Sequence, residues 1–484
     1  MLIPSSKKRT IAIIGAGYSG TLTAVNILRT SPPDNVRVVL VEQDSTPGRG
    51  LAYRFADDNH LLNVPAGNMS ALADEPSHFV AYCRNVDPAF NTGSFISRRL
   101  YGEYLQYTLA EAETNHPGTL EKINGEAVAI LPDASHEKFR IGLAGGASLE
   151  ATQVVLAFGN FSRGSPQSVP ANLRKYLVNP WDFSALDGLD QKQPVAILGT
   201  GHTAVDVLFR LTSCNRTRKI FLLSRRGLLP HGHRFNPTHQ TASEYPAYLV
   251  GLPPTIRAYT RALREEATRR EAAGGNWRDV LNELRPHTSR LWRALPEAER
   301  IRSLQKIRPY WDVHRHRFAP SAARRLENLL DSGQVKRLAG RITGFDREGV
   351  NLSIQFKSRG EASVERLDVG AVVNCTGPNN DLSSLSVPLV TQLRNEGLIQ
   401  QDRLKLGLLV DDGYRVIDVH NQANPGLFYV GPMLKARYWE ATAVPELRNH
   451  IRRLAEHLML TITPTITAQW NQPGKPHFLN WARI

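Results

Sequence analysis

Residues 10–29 read TIAIIGAGYSGTLTAVNILR, and residues 194–211 read PVAILGTGHTAVDVLFRL. Each runs from a short apolar strand through a glycine turn into a helix. In the first, Ile11 to Ile14 form the near-continuous apolar run of a buried parallel strand. Gly15-Ala-Gly17-Tyr-Ser19-Gly20 follows as G-x-G-x-x-G. Gly15 permits the tight turn, Gly17 lets a pyrophosphate approach the backbone, and Gly20 lets the helix pack on the strand. The helix begins near Ser19 and points its first amides at the phosphates. The next strand, VRVVLVEQD, carries Glu42 about 20 residues past the glycines, where a carboxylate receives ribose hydroxyls.

The second unit repeats this order. Gly199-Thr-Gly201-His-Thr203-Ala204 is its turn, with alanine in the packing position. The following strand, KIFLLSRRG, ends in Ser224-Arg225-Arg226 and carries no acid. A serine and a guanidinium accept a ribose 2′-phosphate that a carboxylate would repel. The pattern predicts an α/β fold with two Rossmann-like dinucleotide-binding domains. FAD is expected in the first and NADPH in the second, with NADH still possible, so that hydride passes from nicotinamide to flavin.

Three further stretches bear on the first site. Pro47-Gly48-Arg49-Gly50, followed by Leu51, reads as a glycine-rich loop closing over the FAD pyrophosphate. In NHLLNVPAGNMSAL, Asn63, Ala66 and Met69 are candidates to line the flavin ring, with core packing the other reading of Met69. TQVVLAFGNF and DVGAVVNCTGPN read as strands running to Gly159 and Gly377, which lead the chain between domains. Near the end, GLFYVGPMLKARYWEATAVPELR gives a strand closed by Gly431. Thr442 and Val444 then lead into a helix with Pro445 in its first turn, its positive end facing the flavin.

The 484 residues suffice for several domains, and contain no apolar run of eighteen, so no membrane span is expected. The opening MLIPSSKKRT lacks the apolar core of a signal peptide. Cys83, Cys214 and Cys375 are scattered and odd in number, against a disulfide framework or a cysteine zinc site and for a reducing, cytoplasmic setting. There is no CxxxxC pair for thiol-disulfide reduction. The net charge of +14 suits nucleic acid, anionic lipid or small anions, but no nucleic-acid motif is present. Residues 251–340 hold 19 Lys and Arg against 10 acids. The expected organisation is an FAD-binding part over 1–165, an NADP unit over 190–240 and a basic helical insertion over 241–335. A return to the FAD domain over 336–460 and a C-terminal arm over 461–484 follow. A monomer or homodimer is compatible with all of this.

His231-Gly-His233-Arg234 and His314-Arg315-His316-Arg317 bracket the insertion. H-x-H can ligate metal, but no third ligand stands at metal-site spacing, so no metal is expected. Two readings remain: surface charge, or an anion-binding wall in which His233, Arg234, Arg315 and Arg317 grip a substrate. Tyr438, just before the flavin-facing turn, is a further substrate candidate.

The ordered set GAGYSG, PGRGLAY, HLLNVPA, SRRGLLP, VHRHR and ATAVPELR resembles the bacterial FAD/NAD(P)-binding proteins of the two-Rossmann type, relatives of single-component flavin monooxygenases. The resemblance covers about residues 9 to 460. Its members include FAD-dependent urate hydroxylase and aspartate N-oxygenases. It implies an NADPH-reduced monooxygenase that hydroxylates a small, anionic, nitrogen-containing substrate with O2, through a C4a-(hydro)peroxyflavin. The alternative is a flavoprotein reductase or redox sensor without oxygenase output. Gly431-Pro432 stands where many relatives have Gly-Asp, so the ribityl contact must come from elsewhere. The FxGxxxHxxxW signature of Baeyer–Villiger enzymes is absent.

Overall fold

The computed structural model describes residues 9–460 except 31–35, 45, 55–57, 136, 160, 163, 165–168, 214–216, 236–243 and 350. Cys214 and the expected arm over 461–484 lie outside the described residues. The chain opens with β1 (Arg9–Ile14), α1 (Tyr18–Thr30) and β2 (Val36–Glu42). It then adds β3 (Leu120–Asn124) and β4 (Gln153–Leu156). β1 pairs in parallel with β2 on one side and β4 on the other, and β2 pairs with β3. The four residues of β4 are all buried, as a strand covered on both faces requires.

The second sheet is built around β5 (Val195–Leu198), α2 (His202–Ser213), β6 (Ile220–Ser224), β7 (Val335–Glu348) and β8 (Ala371–Asn374). β6 lies parallel to both β5 and β7, while β8 flanks β5 on its other side. Thus both sheets place their first strand between the strand that follows it and a later crossover strand. That arrangement leaves a crevice at the C-terminal end of β1 and of β5. Beyond β7 the second sheet continues as an antiparallel hairpin, Asn351–Ser358 with Val364–Val369. The chain rejoins the first sheet through Arg415–Ile417 and β9 (Ala423–Tyr429), with β9 parallel to β4. The return expected from residue 336 therefore comes later. β7 begins as a parallel partner of β6 and ends in the hairpin, so residues 335–374 belong to the second sheet.

Between β6 and β7 lies the helical insertion. It includes Ile256–Ala272, α3 (Trp277–Leu284) and α4 (Arg308–Arg315). Thr255 and Asn276 cap the first two through side-chain acceptors, as helix N-termini favour. The insertion packs on the segment after β9: Trp292 stacks on Trp439 at 4.5 Å and donates its indole N–H to the Ala436 carbonyl at 3.2 Å. Leu249, Tyr259 and Leu284 share that apolar cluster with Leu406. The last helix, α5 (Val444–Leu460), lies against the first unit, with the Tyr18 hydroxyl donating to the Val444 carbonyl at 3.4 Å. A largely buried ion pair, Arg98–Asp206 at 2.9 Å, ties the helix Arg98–Asn115 to α2. No described helix is long and apolar enough to cross a membrane.

Candidate dinucleotide sites

The first turn is held by close backbone packing. Gly15 has φ of +99°, and a methyl there would stand 3.1 Å from the Ala157 carbonyl oxygen. A methyl at Gly20 would stand 1.7 Å from the Gly15 oxygen, so the third glycine sets how closely α1 sits on its turn. Gly17 has no such neighbour; its methyl would meet only the Gly50 Cα, at 3.7 Å. From this turn a cavity of 730 Å³ extends past Glu42, the Arg49–Arg54 loop and Ala157–Gly159 to Thr442, Val444 and Leu447. Glu42 accepts from the Ala16 amide at 2.5 Å and the Asp44 amide at 3.2 Å, which aims its carboxylate at the mouth of the turn.

Among the expected residues, Gly15, Gly17, Ser19, Glu42, Gly50, Leu51, Gly159, Thr442 and Val444 line this cavity together. Gly20, Gly48 and Gly431 act beneath it: the Gly48 amide donates to the Ala16 carbonyl at 2.8 Å, and Gly431 takes φ of +155° where β9 ends. Asn63 and Met69 are not in its lining. Met69 is buried in the core, and the Asn63 carbonyl faces the His233 ring, 3.1 Å from Nε2. The 386–390 stretch also lines the cavity, without any sequence signal that pointed to it.

The second turn has a 380 Å³ cavity. Thr200, Gly201 and His202 line one end, and Ser224, Arg225 and Arg226 another. Gly199 has φ of +112°, and a methyl there would stand 2.4 Å from the Cys375 carbonyl oxygen. Gly377, φ +98°, follows on the same crossover, while Thr203 sits behind the lining within α2. The Ser224 hydroxyl accepts from the Gly227 amide at 3.0 Å. Arg225 is exposed, and Arg226 donates to the Gln305 carbonyl at 3.3 Å.

Residues 12–161 match the family model described as FAD-NAD(P)-binding. That stretch holds the first glycine turn and the strands around it, so the match falls on the first dinucleotide unit. Over nearly its whole length the chain is 22% identical to an uncharacterized protein of Mycobacterium bovis, covering 95% of this chain and 96% of that one. Over 245 residues it is 28% identical to an FAD-dependent urate hydroxylase of Xanthomonas campestris pv. campestris, covering 48% of each. Its fold matches the ornithine N-hydroxylase of Kutzneria sp. 744, solved with reduced FAD, NADP+ and L-ornithine, at a TM-score of 0.61 and 14% identity. That match covers 94% of this chain and 99% of the other.

The two basic clusters lie side by side, joined by backbone bonds from the His233 amide to the Phe318 carbonyl and from the Phe318 amide to the His231 carbonyl. His231 is exposed and Arg234 half-buried, but the second cluster reaches inward. Arg315 and Arg317 are 7% and 3% exposed. Arg315 faces Glu440 and Glu446, both at 3.4 Å, and Glu446 also receives a fork from Arg285. Among the described residues Arg317 pairs with no carboxylate and lines neither cavity: Nη2 donates to Asn282 at 2.5 Å, while Nε and Nη1 have no partner. Burial and the nearby Arg315, Arg278, Arg285 and Arg234 press its pKa down to about 9. His233, desolvated and near Arg317, is pushed to about 3 and is neutral at pH 7. Arg234 is ion-paired to Asp279, and Tyr438 packs on His450 at 4.5 Å in the core, lining neither cavity. His231 and His314 stand 4.6 Å apart against Trp277, and no described group of three ligands is placed to hold a metal.

Proposed function

We propose that the protein is an FAD-dependent, NADPH-reduced monooxygenase that hydroxylates a small anionic nitrogen compound. The observation that carries this reading is the pair of cavities at like glycine turns with unlike strand ends, Glu42 in one and Ser224-Arg225 in the other. In the first, the α1 amides and the close Gly17–Gly50 approach suit a pyrophosphate, and Glu42 suits unphosphorylated ribose. Gly159, Thr442 and Val444 continue the cavity toward the N-terminus of α5, whose positive end favours a reduced, anionic ring. Bound FAD would supply hydride acceptance and oxygen activation. In the second cavity, Arg225 suits a 2′-phosphate.

The substrate reading rests on Arg317. A buried guanidinium with two unsatisfied donors is costly unless an anion arrives to meet it. Arg315 faces Glu440 and Glu446, whereas no described carboxylate pairs with Arg317, so Arg317 is the better candidate to hold a substrate carboxylate or a urate-like anion. His233, held neutral beside it, would orient the anion without competing for charge. Support for oxygenase output comes from the similarity to a urate hydroxylase and the fold shared with an ornithine N-hydroxylase.

The test is Arg317→Met, assayed for hydroxylated product and hydrogen peroxide per NADPH across urate, aspartate and uncharged amines. Product should fall at least tenfold with anionic substrates while NADPH oxidation continues, a charge-assisted bond contributing about 1.5–3 kcal/mol. The variant should be as stable as the parent or more so, because an unpaired buried charge has gone. Full coupling in Arg317→Met would overturn the substrate site. Peroxide with no product from any substrate would favour a reductase without oxygenase output.

A further inference from the structure

The turn Pro432–Ala436 lies between the two cavities: Pro432 lines the first and Lys435 the second. No other described stretch this short lines both. The Lys435 ammonium sits 4.4 Å from the centroid of the Trp439 ring, but it donates no hydrogen bond and makes no ion pair among the described residues. Two carboxylates act on it through space, Asp312 and Glu440. Both are committed elsewhere. Asp312 faces Arg308 at 3.4 Å; Glu440 accepts from the Trp311 indole at 2.9 Å and faces Arg315. The second cavity therefore receives a lysine from the first unit whose charge has no fixed partner.

Lys435 disfavours protonation of His316, and the His316 carbonyl is 3.0 Å from Nε2 of His202, the first residue of α2. The cavity brings Lys435 together with Thr200, Gly201 and His202 at the glycine-turn end, where the α2 amides are unpaired, and with Ser224, Arg225 and Arg226 at the strand end.

We propose that Lys435 binds the pyrophosphate of the nicotinamide dinucleotide, facing the α2 amides from across the cavity. The proposal rests on the second unit being a nicotinamide dinucleotide site. The helix N-terminus then supplies neutral donors on one side, and the lysine supplies a point charge on the other. Arg225 is left to read the 2′-phosphate. Because Lys435 belongs to the turn that carries Pro432, occupancy of the second cavity also fixes a wall of the first. Burial and Arg308 hold the lysine's pKa below its usual value, and an arriving dianion supplies the missing partner.

The experiment is calorimetric titration of the FAD-loaded protein with NADP+ and with NAD+, in the parent, Lys435→Met and Arg225→Ala. Lys435→Met keeps the apolar stem over Trp439. It should weaken both dinucleotides by a similar factor, about tenfold or more, since both carry the pyrophosphate. Arg225→Ala should weaken NADP+ alone. Lys435→Arg should retain most of the affinity for both, and Lys435→Gln should repeat the loss if the methionine variant does not hold FAD. Unchanged affinity for both ligands in Lys435→Met and Lys435→Gln would overturn the assignment. A loss confined to NADP+ would also overturn it, by placing Lys435 at the 2′-phosphate. Binding needs no oxygen chemistry, so these results stand whatever the hydroxylation assay shows. If the parent binds neither dinucleotide, the reading of the second unit fails and this proposal with it.

Discussion

The two glycine turns share a backbone plan and differ in what each allows. In both, the first glycine has positive φ and lies against the crossover strand, Gly15 against Ala157 and Gly199 against Cys375. The third position separates them. Gly20 leaves no room for a methyl, whereas Ala204 carries one and is fully buried. α1 therefore rides closer to its turn than α2 does. The strand ends differ too: Glu42 is braced by the Ala16 amide, while Ser224 is braced by Gly227 and leaves Arg225 to solvent. A common frame can thus be specialised at two positions, one governing the closeness of the helix and the other the charge offered to the ribose.

The strongest way to break this comparison is to exchange the third position. Gly20→Ala should destabilise the protein by about 3 kcal/mol or more, because its methyl meets backbone that cannot move alone. Ala204→Gly should cost only about 1 kcal/mol, mainly helix propensity. Urea unfolding of both variants reads the difference. Equal, small effects would mean that the closeness of α1 to its turn is not what Gly20 provides.

The charge at the strand end gives the next largest effect. Arg225→Ala should cut catalytic efficiency with NADPH about tenfold and leave NADH almost unchanged. Stopped-flow flavin reduction with each cofactor measures it. A preference for NADPH that survives the substitution would move the 2′-phosphate to another residue, with Arg226 the first to examine.

A smaller effect sharpens the contrast between the two cavities and the core behind the first of them. His450 is buried, 2.9 Å from the Tyr414 hydroxyl, and desolvation lowers its pKa to about 4. The unfolded chain has the higher pKa, near 6.5, so it binds the extra proton first. Stability should therefore fall as pH drops from about 6.5 toward 4, by about 1–2 kcal/mol at pH 5 for this histidine. His450→Gln should flatten that part of a urea-midpoint profile. An unchanged acid limb would mean that other buried histidines, such as His202 and His233, carry it.

Much of this frame was legible in the sequence, because a glycine fingerprint is a local statement. Positive φ, a packed third position and a charged strand end all fall within about thirty residues. The late return of the chain to the first sheet was not legible. VKRLAGRITGFDRE begins as a parallel partner of β6 and ends in a hairpin, and no composition change marks the passage. The basic clusters show another limit. Arg315 ends α4, while Arg317 lies two residues on, in chain bridged to Gly232 through Phe318. Spacing cannot tell that one guanidinium finds two glutamates and its neighbour none. Lys435 carries no motif; its relevance appears only when the turn after β9 is seen between two cavities.

The central claim is that two like units hold two different dinucleotides, and Gly17 and Gly201 test it most directly. Neither methyl position meets a close neighbour, 3.7 Å to the Gly50 Cα for Gly17 and nothing within 4 Å for Gly201. Valine at either should therefore block a ligand rather than the fold. The measurement pairs the flavin absorbance of each purified variant with its NADP+ titration. Gly17→Val should lose FAD and still bind NADP+, whereas Gly201→Val should keep FAD, fail to bind NADP+ and no longer be reduced by NADPH. Folded variants that each lose both ligands, or neither, would contradict the account.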